Sequence, residues 1–204
     1  MSNNENKEIY QNMPLYELIE KCKVDNKLAI DELIRRNEKT VYATLYHLDP
    51  DRADIADLAQ EVLFRMARAI KNLKNPATFK FWLNQIITNL FYDELRKKSR
   101  RISAISMDAP SFESDNTTGM PTKDIPDIAR IPEEDVLGSE LDTKIRQSIK
   151  NLPEQFKIVI VLRELQGLSY EEISRLTNTN IGTVKSRLAR ARAKLQDEIR
   201  PYLQ

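Results

Sequence analysis

The chain has 204 residues, with 32 Lys and Arg against 31 Asp and Glu and a formal net charge of +1. A hydrophobic content of 41% is enough for a buried core, and 31% charged residues suit a water-soluble, helix-rich protein of one large or two small domains. Four glycines argue against a turn-dense all-β fold, and the absence of a run of about 18 apolar residues argues against direct membrane insertion.

The opening MSNNENKEIYQNMP is polar and is not expected to act as a secretory signal. Leu15–Lys23 and Leu28–Leu48 read as two helices. The second carries Ala29, Ile30, Leu33, Ile34, Val41, Tyr42 and Leu45 at helical spacing. Cys22, the lone cysteine, reads as a small packed hydrophobe. No CxxC and no paired Cys/His spacing predicts a metal site, and nothing predicts a cofactor, so a reducing cytoplasm is the expected compartment. His47 has no second ligand or nucleophile in view and reads as a surface or capping residue. Asp54 is a candidate N-cap for a third helix with Ile55, Leu58, Ala59, Val62, Leu63, Met66 and Ile70 inward. Its outward set is Asp57, Gln60, Glu61 and Arg65, which by itself reads as a helix surface with an intrahelical ion pair.

Asn72–Thr78 reads as a loop, and a fourth helix runs from about Phe79 to Lys98 on Trp82, Leu83, Ile86, Ile87, Leu90 and Leu95. Gln85, Asn89, Tyr92 and Arg96 recur at steps of four, three and four and share a face, flanked by Asn84 and Thr88. Amides and an aromatic can bond to and stack on exposed bases, and the basic end Arg96-Lys97-Lys98-Ser99-Arg100-Arg101 can neutralise phosphates. A solvated helix with a basic C-terminus, which the helix dipole favours, explains the same residues equally well. Charge is segregated here: residues 62–101 hold ten Lys/Arg against two Asp/Glu, and residues 102–140 hold nine Asp/Glu against two Lys/Arg. The second stretch also holds four of the nine prolines and reads as an irregular acidic linker.

From Asp135 a helical pattern resumes on Leu137, Leu141, Ile145 and Ile149, and Pro153 suits the first turn of another helix. Phe156–Leu165 contains IVIVL, a strand former by propensity, but its length, all-round apolarity and position favour a buried helix. Leu168–Leu195 then reads as a helix–turn–helix. Ser169 and Glu172 have capping-box spacing, Ile173 and Leu176 point inward, and Asn178-Thr179-Asn180 ends the first helix. Ile181, Val184, Leu188, Ala191 and Leu195 form the buried stripe of the second helix. Its other faces carry Thr183, Lys185, Ser186, Arg187, Arg190, Arg192 and Lys194, with no acidic residue. A helix anchored on one side and cationic on the other fits the DNA major groove. The expected fold is all-α: a helical domain over 1–101, an acidic linker over 102–134, and a second helical domain over 135–204.

No P-loop, GxGxxG, GxSxG or HExxH occurs, so no enzymatic constellation and no small-molecule substrate is predicted. Three segments, in this order, resemble the sigma-70 family of RNA polymerase sigma factors, in its small extracytoplasmic-function subgroup. DIADLAQEVLFRMARAI (Asp54–Ile70) resembles the core-polymerase-binding helix. FKFWLNQIITNLFYDELRKKSRR (Phe79–Arg101) resembles the promoter-opening region. Leu152–Leu195 resembles the domain that reads the minus-35 element, including the signatures LRELxGLSYEEI and GTVKSRLxRAR. The resemblance implies that Asp57, Gln60, Glu61 and Arg65 dock on the β′ coiled coil of core polymerase, with the β flap as a further contact. It implies that Asn89 meets a flipped base of the minus-10 non-template strand, with Gln85, Tyr92, Arg96, Lys97 and the loop around Lys74 beside it. It implies that Gly182–Arg192 enters the minus-35 major groove, with Lys185, Ser186 and Arg190 at bases or nearby phosphates and Arg187 and Arg192 at phosphates, beside Thr183. An anti-sigma factor and a cytoplasmic, nucleoid-associated location follow from the same resemblance. From the residues alone, a helix–turn–helix regulator that never enters polymerase and a helical protein–protein adaptor stay open.

Overall fold

The structure, a computed structural model, describes residues 8–107 and 136–202. Most of the stretch expected as an acidic linker lies outside the described residues. Every regular element among the described residues is helical.

The N-terminal body begins with a short turn of helix, α1 (8–11), followed by α2 (Leu15–Lys23), α3 (Lys27–Leu48), α4 (Ile55–Ala69) and α5 (Phe79–Met107). Asn26 starts α3 by accepting a hydrogen bond from the Ala29 N–H at 3.1 Å. The inward stripe of α4 is buried as its spacing predicts, from Ile55 through Met66 to Ile70. Asp54 stands at the N-cap position just before α4, but its side chain makes no capping bond. Its carboxylate pairs with Arg52 at 2.6 Å, and Arg52 also reaches Glu94 on α5 at 2.6 Å. Arg52 thus ties the α3–α4 connection to α5. The α5 helix runs on to Met107, past the end expected near Lys98. No glycine or proline stands between those residues to stop it, and the first breaker is Pro110.

The C-terminal body contains α6 (Val136–Asn151), α7 (Glu154–Ile160), a π turn (Val161–Leu165), α8 (Tyr170–Thr177) and α9 (Ile181–Ile199). The IVIVL run is helical. Ile158 through Leu162 are all buried, and packing on several sides overrides their β propensity. Gly167 has φ 60°, a left-handed conformation that lets the π turn reverse into α8. The stripe of α9 is buried at Val184, Leu188 and Ala191, whereas Ile181 is 37% exposed. Ile181 is the first helical residue and overhangs the packed surface.

The two bodies touch. The α3 helix packs against α6, α7 and the π turn, and α5 packs against α8. This explains why Asn84 and Thr88, expected beside an exposed polar face, are each only 1% exposed.

Candidate nucleic-acid interface

The helix–turn–helix is set by hydrogen bonds between near neighbours. The Ser169 Oγ accepts from the Glu172 N–H at 3.2 Å, and the Glu172 carboxylate accepts from the Ser169 N–H at 2.8 Å, completing the capping box. Asn178 ends α8 in the left-handed region at φ 50°. The Asn180 side chain then accepts from the Thr183 N–H at 2.7 Å and starts α9. With Val184, Leu188 and Ala191 holding one side, Thr183, Ser186, Arg187 and Arg190 recur at steps of three and four on another face. Ser186 and Arg190 are exposed, and Thr183 and Arg187 are half-buried. Lys185 and Arg192, seven residues apart, share a different face. Arg192 is ion-paired with Glu164 at 2.7 Å, beside an apolar groove formed by Ile145, Ile149, Ile160, Val161 and Leu195.

On the N-terminal body, Gln85 and Asn89 are exposed and Tyr92 is half-buried. Asn89, Tyr92 and Arg96 line a cavity of about 750 Å³ that also takes in Thr179 and Arg187 of the C-terminal body. Burial raises the Tyr92 phenol above its ordinary range, the nearby Arg187 opposes that shift, and Glu154 adds to it. Arg96 pairs with Asp93 at 2.9 Å and Lys97 with Glu94 at 2.7 Å. These exposed basic ends are held only by weak, solvent-screened pairs that a phosphate can replace. Lys74 is exposed between two short 3₁₀ turns, and Asn75 caps the second by accepting from the Ala77 N–H at 3.0 Å.

The outward face of α4 bears Asp57, Gln60, Glu61 and Arg65, with Glu61 and Arg65 paired at 2.6 Å. It also presents Phe64, 56% exposed, with the Arg68 guanidinium 5.4 Å from its ring centroid. Phe64 falls outside the predicted inward stripe, and that break in pattern was the only sequence signal of it. Cys22 is fully buried, and burial pushes its thiol up to about 11, so it stays protonated and inert. His47 is half-buried with its ring edge-on to Tyr46, and among the described residues no cluster of His, Cys, Asp and Glu could hold a metal ion.

Two all-helical bodies, the second ending in a helix–turn–helix with a cationic outer face, define a class of helical transcription proteins. The chain belongs to the sigma-70 family of RNA polymerase sigma factors, in its extracytoplasmic-function subgroup. The model of sigma-70 region 2 matches residues 33–101, and that of sigma-70 region 4 matches residues 142–195. The chain is 32% identical over 189 residues to the ECF RNA polymerase sigma-E factor of Haemophilus influenzae, covering 91% of this chain and 95% of that one. It is 36% identical over 167 residues to the ECF RNA polymerase sigma factor SigE of Mycolicibacterium smegmatis, covering 82% of this chain and 60% of that longer one. Its fold is similar to that of the sigma factor RpoE solved in complex with the anti-sigma factor NepR from Bartonella quintana. The TM-score is 0.61 at 22% identity, with 83% of this chain and 96% of that one covered.

Proposed function

We propose that the chain binds core RNA polymerase and directs it to promoters, reading the minus-35 duplex with α9 and the minus-10 non-template strand with α5. It acts by binding, in the cytoplasm at the nucleoid. The observation that carries this reading is the pair of polar, cationic surfaces, one in each matched region, each anchored by its own buried stripe. Thr183, Ser186, Arg187 and Arg190 offer donors on one face of α9, where base edges and phosphates lie together in a major groove. Lys185 and Arg192 stand together on a different face of α9 and suit phosphates on one side, Arg192 by exchanging Glu164 for DNA. On α5, Asn89 presents an amide to an unpaired base, with Gln85 and Tyr92 beside it, while Arg96, Lys97 and Lys74 neutralise the strand.

Asp57, Gln60, Glu61 and Arg65 are the polar set proposed for the β′ coiled coil, with Phe64 as an apolar centre among them. The groove beside Arg192 suits the β flap. An anti-sigma factor is the expected regulator, because the similar chain RpoE was solved in complex with one.

Run-off transcription with purified core polymerase on a library of genomic fragments tests the whole reading, with discrete start sites expected. A chain that binds duplex DNA but fails to bind core polymerase would instead be a free-standing helix–turn–helix regulator.

Two variants test the parts. Arg190→Ala is expected to weaken minus-35 binding by about 1–3 kcal/mol if it contacts a base, read by titration of labelled duplex at fixed salt. Unchanged affinity and unchanged sequence preference would remove Arg190 from the site. Asn89→Ala is expected to impair opening at the minus-10 element, read with permanganate on unpaired thymines, while core binding stays intact. If core binding is lost instead, Asn89 belongs to the polymerase contact.

A further inference from the structure

Of the cations on α9, Arg192 alone is already engaged by an acid. Among the described residues, Lys185, Arg187, Arg190 and Lys194 make no ion pair, whereas the Arg192 Nε and Nη2 both donate to the Glu164 Oε1, at 3.1 and 2.7 Å. The counter-charge comes from another element. The α9 helix holds no acidic residue before Asp197, and Glu164 belongs to the π turn, 28 residues away. In that turn the Gln166 N–H donates to the Val161 carbonyl at 3.2 Å, the wide register of a π helix. Val161 and Leu162 are buried there, and Glu164 and Leu165 stand exposed. The hydrogen bond to Glu164 raises the Arg192 pKa, and Tyr170 of α8 adds to the effect. Tyr170 is backed by the Arg163 guanidinium, 4.9 Å from its ring centroid, and Arg163 donates to the Leu168 carbonyl at 2.7 Å.

Nε and one Nη form the edge with which a guanidinium grips the oxygens of a carboxylate or a phosphate. Glu164 occupies that edge of Arg192, so Glu164 and a DNA phosphate are rival acceptors for the same two N–H groups. Each side chain of the pair is 51% exposed, so water screens the pair and a phosphate can displace the carboxylate. Displacement leaves Glu164 unpaired beside a polyanion, which opposes every encounter with DNA whatever its sequence.

We infer that Glu164 is an internal phosphate surrogate: it holds the gripping edge of Arg192 in the free chain, and duplex DNA must displace it before Arg192 engages a phosphate. The inference rests on the phosphate reading of Arg192 above and adds that Glu164 is a brake on duplex affinity, acting through that one arginine.

Titration of a labelled mixed-sequence duplex with the full chain at low salt tests the brake, in a cycle of Glu164→Gln, Arg192→Ala and the double variant. Phosphate attraction is independent of sequence, so the promoter need not be known. Glu164→Gln should tighten binding by about two- to five-fold, the range of an exposed ion pair. In the Arg192→Ala background the same change should have no effect. In the Glu164→Gln background, Arg192→Ala should flatten the slope of log affinity against log salt by about 0.9, as one lost phosphate contact does. An equal gain in both backgrounds would mean plain repulsion between Glu164 and DNA and would overturn the brake. Unchanged or weakened binding by Glu164→Gln, with Arg192→Ala still harmful, would also overturn it and leave the phosphate reading standing. Arg192→Ala without effect on affinity or slope in either background would remove Arg192 from the DNA and sink the phosphate reading, and the brake with it. Both side chains are at the surface, so helical circular dichroism should stay unchanged. If Glu164→Gln loses helical signal, Glu164→Asp, one methylene short of Arg192, takes its place with the same expected sign.

Discussion

Leu188→Ala is expected to destabilise the C-terminal body by about 2–5 kcal/mol, the range for emptying a well-packed leucine site. Leu188 is 1% exposed at the centre of the α9 stripe, and α9 packs on α6, α7 and α8. Those helices are held by their own partners and can fill the vacated space only in part. The energy at stake is a large fraction of the stability of a small body. The variant should melt earlier, and its minus-35 affinity should fall because α9 loses the anchor that aims Thr183, Ser186, Arg187 and Arg190. Urea titration followed by circular dichroism checks the first effect, with Arg190→Ala as the control that should change affinity and leave the melt in place. A loss below about 1 kcal/mol would show that the body repacks without a cavity.

The second large effect is the response to acid. Glu32 is 5% exposed on α3, and its carboxylate takes Arg35 at 2.7 Å and Arg36 at 2.8 Å. The hydrogen bond from Arg35 outweighs burial and, together with Arg36, holds the Glu32 pKa down to about 2 from an ordinary 4.5. The folded state therefore prefers the charged carboxylate. Its contribution is complete above about 4.5 and is lost as pH falls from there toward about 2. The full amount is on the order of 3 kcal/mol, at about 1.4 kcal/mol per unit. Arg36 also donates to the carbonyls of Tyr10 at 2.7 Å and Met13 at 2.8 Å, so the pair fastens the start of the chain to α3. Glu32→Gln should cost most of that energy near pH 7 and almost none near pH 2. Stability curves of the two proteins by urea titration should converge across that window. A constant offset would assign the stabilisation to packing instead of charge.

The helix–turn–helix was legible residue by residue because its signals are local. A capping box spans three residues, Asn180 caps the turn that follows, and a stripe repeats every three or four positions, so neighbours in the chain carry the whole message. The outward sets on α4 and α5 were legible for the same reason. The buried roles of Asn84, Thr88, Glu32 and Gln166 were not. Each is a polar residue whose placement depends on a partner elsewhere, and periodicity assigns polar residues to solvent by default. Gln166 reaches Thr44 across 122 residues and Asn84 across 82, and no local rule relates them.

The end of α5 shows the same division from the other side. Propensity over Ser99–Met107 allows a helix, and only the lack of a breaker before Pro110 marks where it can stop. For the IVIVL run, propensity and burial disagree, and helices packed around it decide for helix.

Apart from the IVIVL run and the expected cap at Asp54, helix identity, caps and inward stripes were therefore settled by the order of residues alone, since each depends on contacts within a few positions. How the two bodies meet, which polar side chains become buried, and whether Arg187 faces solvent or Tyr92 were settled only in three dimensions. Those outcomes turn on desolvating groups far apart in the chain, and the free energy of doing so exists only once their partners have arrived.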